Sequence, residues 1–252
     1  MKIVVIGGTG LIGSRVVSQL EAHGHEAIAA SPNTGVDTLT GAGIAEALAG
    51  ADVVVDVSNS PSFADDDVLA FFTTSTNTLL AAEREAGVGH HVALSIVGAD
   101  RLPDSGYLRA KVAQERLIVD SGQPYSIVRA TQFYEFGSRI ADAATTDGTV
   151  RVSTGLMQPI AAADVSDQVA RVAASAPLNA TIDVAGPEKL GQDEFIRRVL
   201  TAAGDARTVE SDPAAEYFGT VLAGDELTPG PGAQLSTTTY DEWLAAQPTP
   251  AK

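Results

Sequence analysis

The 252-residue chain contains no cysteine. That absence excludes disulfides, thiol nucleophiles and thiolate-held metals together. Basic side chains are scarce: 16 Lys and Arg stand against 32 Asp and Glu, a formal net charge of −16. Such a surface repels phosphate backbones, which argues against nucleic acid as a partner. No apolar run approaches the roughly 20 residues a membrane helix needs, because Gly, Asp or Ser interrupts each one. The chain opens with Lys2 and then a strand, not with an apolar segment and a cleavage site. A cytoplasmic protein without a leader or a membrane contact is expected. Histidines number four, and His23, His25, His90 and His91 lack the i,i+4 spacing of a helical zinc pair. They are expected at the surface or in loops, and no metal is expected.

What is present is an apolar fraction of 44%, enough for a globular α/β protein. Lys2–Ile6, Glu26–Ala30, Asp52–Val57, His91–Val97 and Tyr125–Arg129 read as strands. Between them, periodicity predicts helices over Leu11–Glu21, Ile44–Leu48, Asp65–Glu85 and Ser105–Ser121. This alternation predicts right-handed βαβ units and a doubly wound parallel sheet of the Rossmann type. Beyond residue 130 the pattern loosens. Gln158–Ala162 and Thr181–Ala185 read as strands, and Val165–Ala174, Asp193–Ala203 and Tyr240–Ala245 as helices.

Gly7-Gly8-Thr9-Gly10-Leu11-Ile12-Gly13 joins the first strand to the first helix. Gly7 permits a tight turn, Gly10 lets backbone approach a pyrophosphate, and Gly13 lets the helix pack closely. Thr9, Leu11 and Ile12 complete a cradle of amides at the positive end of a helix dipole. The expected cofactor is therefore a nicotinamide dinucleotide, held by a core over residues 1–155. Residues 156–252 form a smaller α/β lobe packed on that core and facing the substrate. Its choice of NADP or NAD turns on the end of the second strand, where Ala29-Ala30-Ser31-Pro32-Asn33 offers no carboxylate for a ribose diol. Ser31 and Asn33, with Arg15 in reach, suit a 2′-phosphate. NADP is favoured on this ground, with NAD possible, and Asp37 is set near the adenine.

Tyr107 and Lys111 are spaced to share one face of a helix. A neighbouring ammonium favours the phenolate and prepares a tyrosine for acid–base work. Ser95, at the end of the preceding strand, is placed to hold a carbonyl oxygen. Phe133, Tyr134, Phe136 and Met157 are candidates for an apolar pocket, or equally for core.

The Gly7–Gly13 turn, Asp56-Val57-Ser58-Asn59, Ser95 and the Tyr107/Lys111 pair resemble the short-chain dehydrogenase/reductase superfamily. Pro124-Tyr125-Ser126-Ile127-Val128-Arg129, Pro159–Val165, Gly186-Pro187-Glu188 and Trp243 make the chain most similar to its atypical, NmrA-like branch. That resemblance implies Ser58 and Asn59 along the cofactor, and Thr131, Gln132 and Phe133 beside its nicotinamide. Lys111 would bind the nicotinamide ribose and tune Tyr107. The implied activity is hydride transfer between NAD(P)H and a small carbonyl or quinone-like substrate. An alternative is a non-catalytic NAD(P) sensor that acts on a regulatory protein. Two departures from the superfamily stand out. Ala130-Thr131 replaces a Pro-Gly, and Thr78 takes the place of a relay asparagine, with Asn77 one position away on another face.

Overall fold

The computed structural model describes residues 1–247, so the last five residues of the expected 156–252 lobe lie outside it. Up to residue 130 strands and helices alternate: β1 (Lys2–Ile6), α1 (Leu11–Ala22), β2 (Glu26–Ala30), α2 (Ile44–Leu48), β3 (Val53–Asp56), α3 (Asp65–Ala86), β4 (His90–Ile96), α4 (Gly106–Asp120) and β5 (Tyr125–Ala130). Shorter pieces follow: α5 (Gly137–Ala143), β6 (Thr145–Thr146), β7 (Thr149–Val152), β8 (Leu156–Met157), α6 (Ala162–Ala173) and β9 (Ala180–Ala185). The chain ends with β10 (Leu190–Gly191), α7 (Gln192–Ala203), β11 (Thr208–Ser211), β12 (Glu216–Tyr217), β13 (Thr220–Val221), β14 (Gln234–Leu235) and α8 (Tyr240–Ala245).

Seven strands make one sheet in the order β14-β9-β5-β4-β3-β1-β2. Every pairing in it is parallel. This is the expected Rossmann-type fold. Alternation along each strand buries both faces. Ile3, Val5, Val53, Val55 and Val92 pack under α1 and α6 through Ile12, Val16, Val165 and Val169. Val4, Ile6 and Val54 pack on the opposite face with Ile44, Leu48 and Leu79. From β1 the chain runs to β2 on one side and then to β3 on the other. The carboxyl ends of β1 and β3 therefore flank the point where strand order reverses, which is where open α/β sheets bind ligands.

β9 and β14 follow residue 155 and are strands of this same sheet. A three-stranded sheet of β11, β7 and β6 carries a second core. There Val150, Val152, Phe195, Ile196, Val199 and Leu200 pack with Leu108, Tyr217 and Tyr240.

Two expectations are corrected. Gln158–Ala162 is not a strand: a single bridge joins Ile160 to Phe133, and α6 already starts at Ala162. Pro159, which has no amide hydrogen to give a ladder, sits in the middle of this stretch. His90 and His91 are not surface residues but open β4, exposed by only 3% and 1%. Each has a buried polar partner that sequence spacing did not reveal. His90 Nε2 lies 2.8 Å from Ser126 Oγ, and His91 Nδ1 lies 2.8 Å from Glu83 Oε1.

Candidate active site

The glycine turn has the geometry its spacing predicts. Gly7 adopts φ +76°, and a Cβ there would lie 2.9 Å from the backbone nitrogen of Ser58, across the switch point. Gly13 has no room for a side chain: a Cβ would meet the Gly7 carbonyl oxygen at 2.2 Å. Gly10 caps α1 in an extended conformation, and a Cβ there would stand 3.3 Å from that same oxygen. Gly8, absent from the expected set, also proves restricted, its Cβ position lying 2.6 Å from Ala29 Cα. The Gly10 amide bonds Gly7 and the Ser14 amide bonds Gly10. Among the described residues the amides of Thr9, Leu11, Ile12 and Gly13 make no hydrogen bond. Free amides beside a backbone with no side chain in the way fit a pyrophosphate.

At the end of β2, Ser31 is buried and its Oγ has no partner, while its amide is held by Thr34 Oγ1 at 2.9 Å. Asn33 and Arg15 are exposed. Asp37 holds the amide of Leu39 at 2.8 Å. That backbone bond, with Thr40 beside it, lowers its pKa despite a small opposing effect of desolvation. Its carboxylate thus shapes the turn after β2.

The third loop follows β3. Asp56, only 1% exposed, accepts the Ser58 amide at 3.0 Å and the Ser58 hydroxyl at 2.6 Å. Asn59 Oδ1 in turn accepts the Tyr107 hydroxyl at 3.1 Å. Tyr107 and Lys111 both lie on α4, yet they diverge. Lys111 is buried and donates to the Leu94 carbonyl at 2.9 Å and to Gln114 Oε1. Its Nζ sits 4.4 Å from the centre of the Phe72 ring. Burial pushes the Lys111 pKa down to about 8, against the pull of Asp56 and Glu115. Burial also pushes Tyr107 up to about 12, offset in part by Asn59. Lys111 is not among the causes of the Tyr107 shift. Phe72, 6.2 Å from Tyr107 between ring centres, occupies the ammonium, and desolvation dominates at the phenol.

Ser95 and Gln132 carry the remaining polar atoms. Ser95 is 3% exposed, Gln132 8%, and Ser95 Oγ and both ends of the Gln132 amide lack partners. Thr131 is committed to the Gln158 carbonyl at 2.6 Å, while the Phe133 ring packs tilted against Phe136 at 5.3 Å. Tyr134 and Met157 are core residues. Asn77 is exposed and bonded to its own helix at Thr73, and Thr78 likewise bonds Thr74, so neither serves the site.

Three rings near Tyr107 were not anticipated. Phe218 stacks on it at 5.7 Å, Phe63 lies 5.3 Å away, and Tyr217 meets Phe218 edge-on at 4.8 Å. Tyr217 is buried beside both Tyr107 and Gln132, and burial raises its pKa. Tyr217 and Phe218 belong to a two-residue hairpin whose turn, Phe218-Gly219, has φ +48° and +78°. A residue followed by glycine between two β-prone pairs is a legible hairpin signal; which surface it covers is not.

Comparison with known proteins adds the following. The model of an NAD(P)H-binding family matches residues 7–177. Over 187 residues, 69% of this chain, the sequence is 32% identical to a (4-alkanoyl-5-oxo-2,5-dihydrofuran-3-yl)methyl phosphate reductase of Streptomyces griseus subsp. griseus. Over 243 residues, 79% of this chain, it is 28% identical to a chloroplastic divinyl chlorophyllide a 8-vinyl-reductase of Cucumis sativus. These matches span 62% and 57% of the relatives' own lengths. Among solved structures, MoeE5 in complex with UDP-glucose and NAD superposes with a TM-score of 0.76 at 18% identity, covering 98% of this chain and 97% of that one. The Escherichia coli NADPH-dependent quinone oxidoreductase QOR2 with NADPH gives 0.65 at 20% identity, covering 83% and 78%. At such identities the structural likeness speaks for the fold alone.

Proposed function

Given that the chain belongs to the NAD(P)H-binding family, we propose that it is an NAD(P)H-dependent oxidoreductase that reduces a small, uncharged carbonyl or quinone-like compound. The observation that carries this reading is the set of orphaned buried polar atoms, Ser95 Oγ near the carboxyl end of β4 and the Gln132 amide just after β5. A buried donor or acceptor left unpaired costs about 1–3 kcal/mol, and a carbonyl-bearing ligand would satisfy these. The reductases among its relatives point the same way.

When bound, NAD(P)H supplies a hydride to the substrate. The chain's own part is to hold the cofactor phosphates at the Thr9 and Leu11–Gly13 amides and to provide the proton. With a pKa near 12, the Tyr107 phenol keeps its proton at neutral pH and is a donor to the developing alkoxide. Hydride and phenolic proton together make the hydroxyl, and water restores the phenol. Ser95 would hold the same oxygen. The substrate wall comes from the part of the chain after residue 155, through Tyr217 and Phe218. An uncharged substrate fits a site walled by the rings of Phe63, Tyr217 and Phe218. Arg129, whose strand position pairs with Ser95, is taken by Glu115 and Asp100. Arg197, Arg198 and Arg207 are each paired to a carboxylate.

NADPH is the favoured cofactor, because the end of β2 carries Ser31 and Asn33 and no carboxylate. Titration of NADPH against NADH, followed by oxidation assays with neutral quinones and enones, tests both choices. Tyr107→Phe should then lower kcat at least 100-fold and leave NADPH affinity within about threefold. Normal turnover by the Phe variant would remove Tyr107 from the reaction.

One observation favours a sensor instead: Phe218 stacks on Tyr107, and Lys111 Nζ donates to Leu94 and Gln114, not to the Tyr107 hydroxyl. Binding that separates oxidised from reduced cofactor, with no turnover across the same panel, is the outcome that reading requires.

A further inference from the structure

No hydrogen bond joins Tyr107 to Lys111 directly, but hydrogen bonds and one step along the backbone, from Ser58 to Asn59, connect them. Lys111 Nζ donates to Gln114 Oε1. Gln114 Nε2 donates to Asp56 Oδ2 at 2.9 Å. Asp56 Oδ1 accepts both the amide and the hydroxyl of Ser58. The next residue, Asn59, accepts the Tyr107 hydroxyl. Lys111, Gln114 and Asp56 are exposed by 3%, 1% and 1%, so water does not compete for these bonds.

We propose that Gln114 is a positioning residue of the active site, which ties Lys111 to the Asp56–Asn59 loop and so couples the ammonium to the phenol at the loop's far end. This rests on the reading of Tyr107 as the proton donor. The polarity of the amide is what makes the link. Its carbonyl faces an obligate donor, the ammonium, and its NH2 faces an obligate acceptor, the carboxylate. An amide at this point separates a buried cation from a buried anion by one side chain, keeping both paired. The position expected to carry a relay asparagine holds Thr78, bonded to its own helix. Gln114 supplies the missing polar link from α4, one turn after Lys111, where i,i+3 spacing brings the two side chains together.

The charged groups around this link come from five elements. Asp56 of β3 and Glu115 of α4 act on Lys111. Glu115 is itself neutralised by Arg129 of β5. Glu83 of α3 pairs with His91 of β4, and Asp56 also acts on His91. Gln114 is the only member of the Lys111–Asp56 connection that carries no charge, so its replacement has a predictable sign. Gln114→Met removes one of the two acceptors of the ammonium and should lower the Lys111 pKa by about one unit or more. Gln114→Glu adds an anion and should raise it by a similar amount.

The test is NMR titration of the lysine ¹³Cε signals, in a chain with four lysines, with Lys111 assigned by Lys111→Arg. Shifts of opposite sign in the two variants are expected, and loss of packing cannot produce both. An unchanged Lys111 titration in both variants overturns the coupling. The pH dependence of kcat/KM on whichever quinone or enone is turned over separates this from the functional reading. If Lys111 titrates as expected while the alkaline limb of kcat/KM stays in place, the link stands and Lys111 is removed from catalysis. If both move together, Gln114 acts on the reaction through Lys111.

Discussion

Gly10 and Gly13 sit three residues apart in one turn, yet their hydrogen atoms are needed for different reasons. Alanine is the better helix former by about 1 kcal/mol, and Gly13 lies inside α1, so propensity alone favours Gly13→Ala. The added methyl would meet the Gly7 carbonyl oxygen at 2.2 Å, where neither partner can yield without moving the turn. Overpacking of this kind costs about 1–3 kcal/mol or more and outweighs the propensity gain. Gly13→Ala should therefore be less stable to urea and also lose NADPH binding. Gly10→Ala meets only a 3.3 Å contact and should fold with near-normal stability. Its methyl stands where a pyrophosphate would approach, so NADPH affinity should fall at least tenfold. Equal loss of stability in both variants would show the turn to be purely structural. The role of Gly13 was legible in the sequence because its constraint lies within six residues. Gly8 is held from both sides, by the Val5 carbonyl oxygen and by Ala29 of β2 at 2.6 Å each, and only the first of these lies close by in the sequence.

At the scale of one element, β4 places two histidines at its start with opposite shifts. Burial lowers His90 to about 4, helped by His91. Burial also opposes the charge on His91, but the Glu83 carboxylate overcomes it and the net shift is upward. Unfolded histidine titrates near 6.5. A lowered folded pKa makes stability fall as pH drops from 6.5 toward 4, because only the unfolded chain takes up the proton there. A raised one gives stability that is complete below 6.5 and is lost as pH rises through the folded value. Stability measured by urea unfolding should therefore crest near pH 6.5. His90→Gln should flatten the limb between pH 6.5 and 5 and leave the upper limb unchanged. A wild-type profile that is flat from 5 to 8 would contradict both assignments. Apolar runs and helical periodicity made β3, α3, β4 and α4 legible. The polar pairs inside them were not, since His91 meets Glu83 and Lys111 meets Leu94 through the packing of helix on sheet. Two-residue strands such as β12 and β13 are too short for a period to show, and so the rings over Tyr107 went unseen.

For the whole molecule, the net charge of −16 and a phosphate-bearing cofactor set up a kinetic prediction. The first half of the chain reads as a nucleotide-binding fold because each βα unit is local. The second half contributes β9 and β14 to the same sheet from 50 or more residues away along the chain, a pairing that no local pattern announces. The chain as a whole is negative, and in the proposed site phosphate would be drawn by backbone amides and a helix terminus, which act only at short range. At long range NADPH meets repulsion, and salt screens it over about 10 Å at 0.1 M. The association rate should therefore rise several-fold between about 10 and 150 mM NaCl, the reverse of an electrostatically steered encounter. The dissociation rate should change little, since the bound phosphates are held by neutral amides. Stopped-flow fluorescence of NADPH binding measures both. An association rate that falls with salt would instead locate a positive entrance, with exposed Arg15 as its first member, and Arg15→Ala would then remove that salt dependence.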